Sequence, residues 1–513
     1  MTQSLGESKT TVVLGAAGCG KTTRLLNMVD DALASGVKPN RIGFISFTKR
    51  AIEEGRSRAS ERFGLPPEDF PHFRTIHSWA FRHLGMRRDQ VLGWRHLNEL
   101  GRMLGLEFKG KSQLLDDGDT YGMALPDRML FLEGLARNSM RPLEKVWSDA
   151  MEDDLSLLEL DRFARALKKY KDCQQLLDFT DMVEVFTRSD PRTMPPLDLL
   201  LVDESADNSA LQWRAVSLLA TNAKKVVVCG DDMQSIFSWS GADVQQFISL
   251  PGRQETLEQS YRLPRSVHKL AETVVDRVKN KRPRCSHPRQ AEGSVNCYSS
   301  LDDVDMSSGD WLCLARNGYM LKEIEDRCLS EGFSFNSVSR DPLKSPSLAA
   351  IRTWENLRRG RDESAELTLA ALLLISAQLC PLALIKQLRS SEPGRLYGMP
   401  ELRSLGLGTA AVWFEALSKI SPSERDYFRA VRRRGEPLLK KPRIQVSTIH
   451  ASKGSEGSNV LLLTDVSRRS YENANNRSRR EYEDEQRVLY VALTRAKEAL
   501  HIVQPRTNLA FDI

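Results

Sequence analysis

Thr10–Thr22 reads TTVVLGAAGCGKT, and TRLLNMVDDALA follows at Thr23–Ala34. A short β-branched, apolar run leads into a glycine loop and then into a stretch with helical spacing, which is the context that validates a GxxxxGK[ST] phosphate loop. In GAAGCGKT the glycines let the backbone curl, so that successive N–H groups of Gly15, Ala16, Ala17, Gly18, Cys19 and Gly20 face an anion at a helix N-terminus. Lys21 is expected to neutralise the β- and γ-phosphates of ATP, and the Thr22 hydroxyl to ligate Mg²⁺, with Thr23 completing the loop.

The matching half is LDLLLVDES at Leu197–Ser205. An apolar strand delivers Asp203 to the carboxyl edge of a sheet, where ligands of such folds bind. Asp203 is expected to hold Mg²⁺ beside Thr22, and Glu204, one residue on, to accept a proton from an attacking water. ATP hydrolysis with Mg²⁺ follows from these two stretches.

Outward from them the same grammar repeats. IGFISF, LDLLLVD and KKVVVCG each precede or follow helical runs, and WLCLAR, IQVSTI, NVLLLTD and ALHIV return to it later. Buried β-runs alternating with helices indicate parallel sheets covered on both faces. The predicted class is α/β with two tandem RecA-like P-loop cores, each interrupted by a mainly helical insertion. The expected boundaries are residues 1–84 with 176–260 for the ATP-binding core, and 85–175 for its insertion. The second core takes residues 261–345 with 441–513, and its insertion 346–440.

Composition narrows the class. At 513 residues, 41% hydrophobic and 28% charged, the chain reads as globular with several domains. A net charge of +6 is compatible with a polyanionic partner. The eight cysteines show no CxxC spacing, so no disulfide framework or zinc site is expected, and Cys285 with His287 reads as a surface pair. The start, MTQSLGESKTT, lacks a signal-peptide core, and no apolar run reaches about 18 residues, so a cytoplasmic protein without membrane partners is expected. The basic clusters at Arg277–Arg284, Arg432–Arg434 with Lys440–Arg443, and Arg468–Arg480 read as solvated loops.

Further stretches follow in order: FTKRA (Phe47–Ala51), TIHSWA (Thr75–Ala80), DFTDM (Asp178–Met182), GDDMQSIFSWSGA (Gly230–Ala242), SYR (Ser260–Arg262), TIHASKGSEG (Thr448–Gly457) and EQRVLYVALTRAK (Glu485–Lys497). Together with the phosphate loop and DES, they resemble the motifs of the UvrD/Rep-like helicases of superfamily 1. The resemblance implies that Gln234 senses the γ-phosphate, that Tyr261 stacks on the adenine and that Glu456 meets the ribose. It implies that Arg262 and Arg495 reach the γ-phosphate from the second core, a task suited to permanently charged, bidentate guanidinium groups. On the nucleic-acid side it implies base stacking by Phe47, Phe237 and Trp239, with backbone contacts from Thr48, His77, Thr448 and His450.

The sequence departs from that pattern at Ala206, where DESAD stands for DExQD, and at Ser455, where motif V reads KGSEG. Only Gln3 precedes the phosphate loop as a candidate adenine reader. These features, with the short second insertion and the end soon after motif VI, suit a compact, phage-like branch without a fused nuclease domain. The expectation is an ATP-dependent DNA helicase translocating 3′→5′ on single strands by closure of two cores. A single-strand translocase that displaces proteins and unwinds weakly is the alternative. Single-stranded DNA, single-strand/duplex junctions and replication or repair proteins are the expected partners of a chain that is monomeric in isolation.

Overall fold

The computed structural model describes residues 5–46, 49–110, 123–150, 154–436, 441–475 and 478–513. By contacts the chain divides into two compact units, Met1–Tyr298 with Ile449–Ile513, and Ser299–Thr448.

In the first unit, six strands form one sheet: β1 (Thr10–Gly15), β2 (Ile42–Ile45), β3 (Phe73–Arg74), β4 (Leu197–Val202), β5 (Ala223–Gly230) and β6 (Arg253–Leu257). Their order is β3-β2-β4-β5-β1-β6, and neighbouring strands run parallel. The central strands are buried on both faces, which is why TTVVLG and LDLLLV are continuous apolar runs and do not alternate. The register pairs Leu14 with Gly230 and Val202 with Val228. Gly15, Asp203 and Asp231 therefore stand where β1, β4 and β5 end, at the same carboxyl edge.

Five helices bear on the site: α1 (Lys21–Ala34), α2 (Ile76–His83), α3 (Leu125–Asn138), α4 (Phe179–Phe186) and α5 (Arg479–Leu493). The segment between α2 and α4 is helical, and Leu100, Met129, Leu132, Phe163 and Leu167 build a core of its own there. Three further parallel strands of this unit lie in the order Ser294–Tyr298, Ala496–Val503, Gly457–Leu463.

In the second unit, Trp311–Ala315 pairs with Ile444–Thr448, which pairs with Phe335–Ser337, again in parallel. Residues 346–440 carry helices such as Pro346–Arg358 and Pro422–Arg433. They also carry an antiparallel pair, Glu363–Ser364 with Leu396–Tyr397, that the helical reading of this stretch did not include. The two parallel-strand sheets covered by helices are the RecA-like α/β architecture expected. No helix among the described residues is long and apolar enough to cross a membrane.

Candidate nucleotide and nucleic-acid site

The loop after β1 turns through two left-handed glycines, Gly18 (φ 74°) and Gly20 (φ 78°), before α1 begins at Lys21. At Gly18 the absence of a side chain is also a matter of room, since a Cβ there would lie 2.3 Å from the Arg262 Cβ. Lys21 is nearly buried, and its ammonium donates to the Gly15 carbonyl at 3.0 Å. Burial opposes the Lys21 charge, but neighbouring Cys19, Asp231 and Glu204 more than offset it, so its pKa lies above the usual lysine value.

The Thr22 hydroxyl donates to Asp203 Oδ2 at 3.0 Å, and the Glu204 amide donates to Asp203 Oδ1 at 2.9 Å. Burial and then the adjacent Glu204 charge raise the Asp203 carboxyl. Glu204 itself holds a left-handed backbone (φ 48°), a conformation that costs a non-glycine residue on the order of 1–2 kcal/mol. The two oxygens at 3.0 Å fit Mg²⁺, because neighbouring ligands on an octahedron of about 2.0–2.1 Å radius stand about 3 Å apart.

The segment SYR is fastened to this loop. Ser260 Oγ donates to the Ala17 carbonyl at 2.8 Å and the Tyr261 amide to the Gly18 carbonyl at 2.9 Å. Tyr261 is 74% exposed and borders Gly20, so its ring is free to cover a base beside the phosphate loop. Arg262 pairs with Glu456 at 2.7 Å, and Lys497 holds the same carboxylate at 2.6 Å.

Arg495, 1% exposed, donates to Gln234 Oε1 at 3.1 Å and to the Ser455 carbonyl at 3.4 Å. Burial, with Arg262 close by, pulls its pKa below the usual arginine range. Gln234 in turn donates to Asp231 Oδ2 at 2.6 Å. The loop 450–456 ties several of these groups together. Lys453 pairs with Asp207 and donates to the Gln234 carbonyl at 2.6 Å, with its ammonium 5.4 Å from the centre of the Phe237 ring.

Phe237, Trp239 and His450 form a cluster with ring centroids 6.2–6.3 Å apart. His77 stands on α2 with its ring edge-on to Phe179 at 5.7 Å, and it lines a cavity of about 120 Å³ shared with Asp203 and Asn208. Burial lowers its pKa. Thr448, in the second unit, is 2% exposed, so its hydroxyl does not stand on the surface. Phe47 and Thr48 lie outside the described residues.

Sequence reasoning missed a buried layer beneath the site. Arg282 and Arg284, read as part of a solvated basic cluster, are drawn inward because partners await them. Arg282 donates to the carbonyls of Phe247 and Leu250, while Arg284 pairs with fully buried Asp231 at 2.8 Å and lies 5.1 Å over the Tyr490 ring. Tyr490 reaches back to the Ala17 amide, and Arg487 is buried against the Asp232 carbonyl. Cys285 and His287 are exposed as expected, and no group of three or more potential metal-binding side chains occurs among the described residues.

Two family profiles match stretches of the chain. The profile of the UvrD/REP helicase N-terminal domain matches residues 2–253, and that of the UvrD-like helicase C-terminal domain matches residues 432–506. The chain is 27% identical over 321 residues to a probable DNA helicase of Mycoplasma pneumoniae, covering 57% of this chain and 56% of that protein. It is 27% identical over 365 residues to the ATP-dependent DNA helicase PcrA of Bacillus subtilis, covering 64% and 48%. It is 28% identical over 295 residues to the ATP-dependent DNA helicase Rep of Salmonella typhimurium, covering 52% and 40%. The chain spans about half the length of the curated relatives it matches.

Proposed function

The chain belongs to the UvrD/Rep-like family of superfamily 1 helicases, and from that premise we propose that it is an ATP-dependent DNA helicase translocating 3′→5′ on single strands. The observation that carries the reading is the bond from Arg495 to Gln234, because the loop bearing Gln234 also bears Phe237 and Trp239. A change at the phosphate side of that loop is transmitted over a few residues to rings suited to stacking on bases.

When bound, Mg²⁺ would polarise the phosphates of ATP, held by Thr22 and Asp203. The rest is the work of the chain. The loop Gly15–Gly20 and Lys21 bind the phosphates, Tyr261 covers the base, and Glu204 accepts a proton from the attacking water. Arg262 and Arg495 neutralise charge that grows during transfer, and they make closure of the site dependent on the γ-phosphate. Alternating closure and release, with Phe237, Trp239 and His450 gripping bases without regard to sequence, moves the strand.

Strand displacement on 3′-tailed, 5′-tailed and blunt duplexes, DNA and RNA side by side, tests this. Displacement restricted to 3′-tailed DNA is expected. Strong DNA-stimulated ATPase without displacement of any duplex would sink the helicase reading in favour of a translocase. Trp239→Ala is expected to weaken DNA stimulation more than basal hydrolysis.

A further inference from the structure

Where the helical insertion meets the core of the first unit, a cleft of about 700 Å³ opens between α3, the helix Leu157–Gln174, α4 and the helix Ala210–Ala220. Ligand clefts are commonly about 300–1,000 Å³. None of the nucleotide-site or nucleic-acid-site residues lines this one.

The floor of the cleft is aliphatic, built from Met140, Leu143, Leu176, Leu177 and Leu211. Its rim is cationic. Lys168 comes from the insertion, and Arg188 and Arg214 come from the core. All three are exposed, and none makes an ion pair with a described residue. Asp172 is an exposed carboxylate on the same rim, so the cations outnumber it. Two left-handed non-glycine residues stand here, Met140 (φ 54°) on the floor and Gln175 (φ 54°) just before Leu176. Glycine is the relaxed choice at such helix ends. Met140 takes the strained position and presents apolar surface to the cleft.

The deep end is an ion network that fastens the insertion to the core. Arg137 of α3 binds Asp178 and Glu184 at 3.1 Å each and Glu133 at 3.2 Å, and it also pairs with Asp181. Lys171, 4% exposed, pairs with Asp178 and, at 2.7 Å, with Asp181. Four carboxylates thus meet two cations, so this end repels a phosphate chain but can accept hydrogen bonds from peptide N–H groups. A nucleic-acid single strand would also need flat faces to stack on, and no aromatic side chain is among the described residues lining the cleft.

We propose that this cleft docks a short acidic segment of a partner protein, one that carries leucine, isoleucine or valine between its carboxylates. The aliphatic side chains would cover the floor, and the carboxylates would meet Lys168, Arg188 and Arg214. Backbone N–H groups of the segment would reach the oxygens of Asp181 and Glu184. Because Lys168 belongs to the insertion and Arg188 and Arg214 to the core, the docked segment bridges the two. Neither strand polarity nor unwinding bears on this site.

A display library of random dodecapeptides, panned on the full chain and counter-selected on Lys168→Glu/Arg214→Glu, tests the proposal. Peptides kept by the parent and lost on the double variant are expected to combine several Asp or Glu with Leu, Ile or Val. A fluorescein-labelled member should bind the double variant about tenfold to twentyfold more weakly, since each exposed ion pair carries up to about fivefold. Arg361→Glu, which reverses an exposed cation of the second unit, should bind it like the parent. Melting temperature and basal ATPase should match the parent in both variants. If the double variant melts lower, Arg188→Glu alone should still show about a fivefold loss. No peptide class lost on the double variant, a lost class without acidic residues, or equal binding of the labelled peptide to parent and variants would overturn the site. Weaker oligothymidylate binding by the double variant, with peptide binding unchanged, would give the cleft to nucleic acid and overturn it too.

Discussion

Replacing Arg284 with Met should expose how much of the site hangs on one buried charge pair. Asp231 is fully buried, and its carboxylate receives Arg284 at 2.8 Å, the Met233 amide at 3.1 Å and Gln234 at 2.6 Å. Methionine fills a similar volume and can keep contact with the Tyr490 ring through its sulfur, so the loss is largely electrostatic. Removing one partner of such a pair leaves a stranded charge and costs about 3–5 kcal/mol. For a chain of 513 residues that is a fall in melting temperature on the order of 3–5 °C. The double variant Asp231→Asn with Arg284→Met removes the stranded charge and should recover most of that fall in a thermal melt. Turnover should not recover, because the asparagine puts an amide where Gln234 now donates, and Gln234 must rotate away from Arg495. If the single variant melts like the parent, or the double variant melts no higher than the single, the stranded-charge argument is wrong.

Glu204→Gln is expected to reduce ATP turnover by about 10²–10⁴-fold while a fluorescent ATP analogue still binds; undiminished hydrolysis would move the general base elsewhere. Gly18→Ala and Gly20→Ala share the backbone cost of a left-handed position, but only the Gly18 Cβ strikes Arg262, at 2.3 Å against 3.9 Å for the nearest neighbour of the Gly20 Cβ. Gly18→Ala should therefore weaken ATP binding at least tenfold more than Gly20→Ala, measured by titration (about 1.4 kcal/mol). His72 stacks on Trp79 at 4.9 Å, and burial, aided by Arg74 and Arg82, lowers its pKa from 6.5 to about 4. The unfolded chain then binds the proton first, so this residue costs stability as pH falls from about 6.5 towards 4. His72→Phe keeps the stack and should flatten that slope in melts across the window.

The phosphate loop, DES and the motif order were legible because each is a local pattern: strand, turn chemistry and helix start lie within a dozen residues. TTVVLG and LDLLLV named their own strands through unbroken apolar character, and the register that aligns Gly15, Asp203 and Asp231 follows from parallel pairing. What escaped were pairings across long separations. RVKNKRPR carries no mark that tells which cations turn inward; Arg282 and Arg284 do so because Asp231 and the carbonyls of Phe247 and Leu250 wait about thirty to fifty residues upstream. His77 is a different case. Its motif was read, but the resemblance could not foresee that α2 turns the ring towards Phe179 and a cavity shared with Asp203.

The loop 450–456 meets Phe237 and Trp239 through His450, and Asp207 and Gln234 through Lys453. It reaches Arg495 through the Ser455 carbonyl and Arg262 through Glu456. Its length is therefore a working dimension of the molecule. One added residue lengthens the path by up to about 3.8 Å, more than any of these polar contacts can stretch and survive. Substitutions in the loop can be absorbed one contact at a time, but an insertion or deletion cannot. Variation in this chain should accordingly be tolerated there in kind and refused in number.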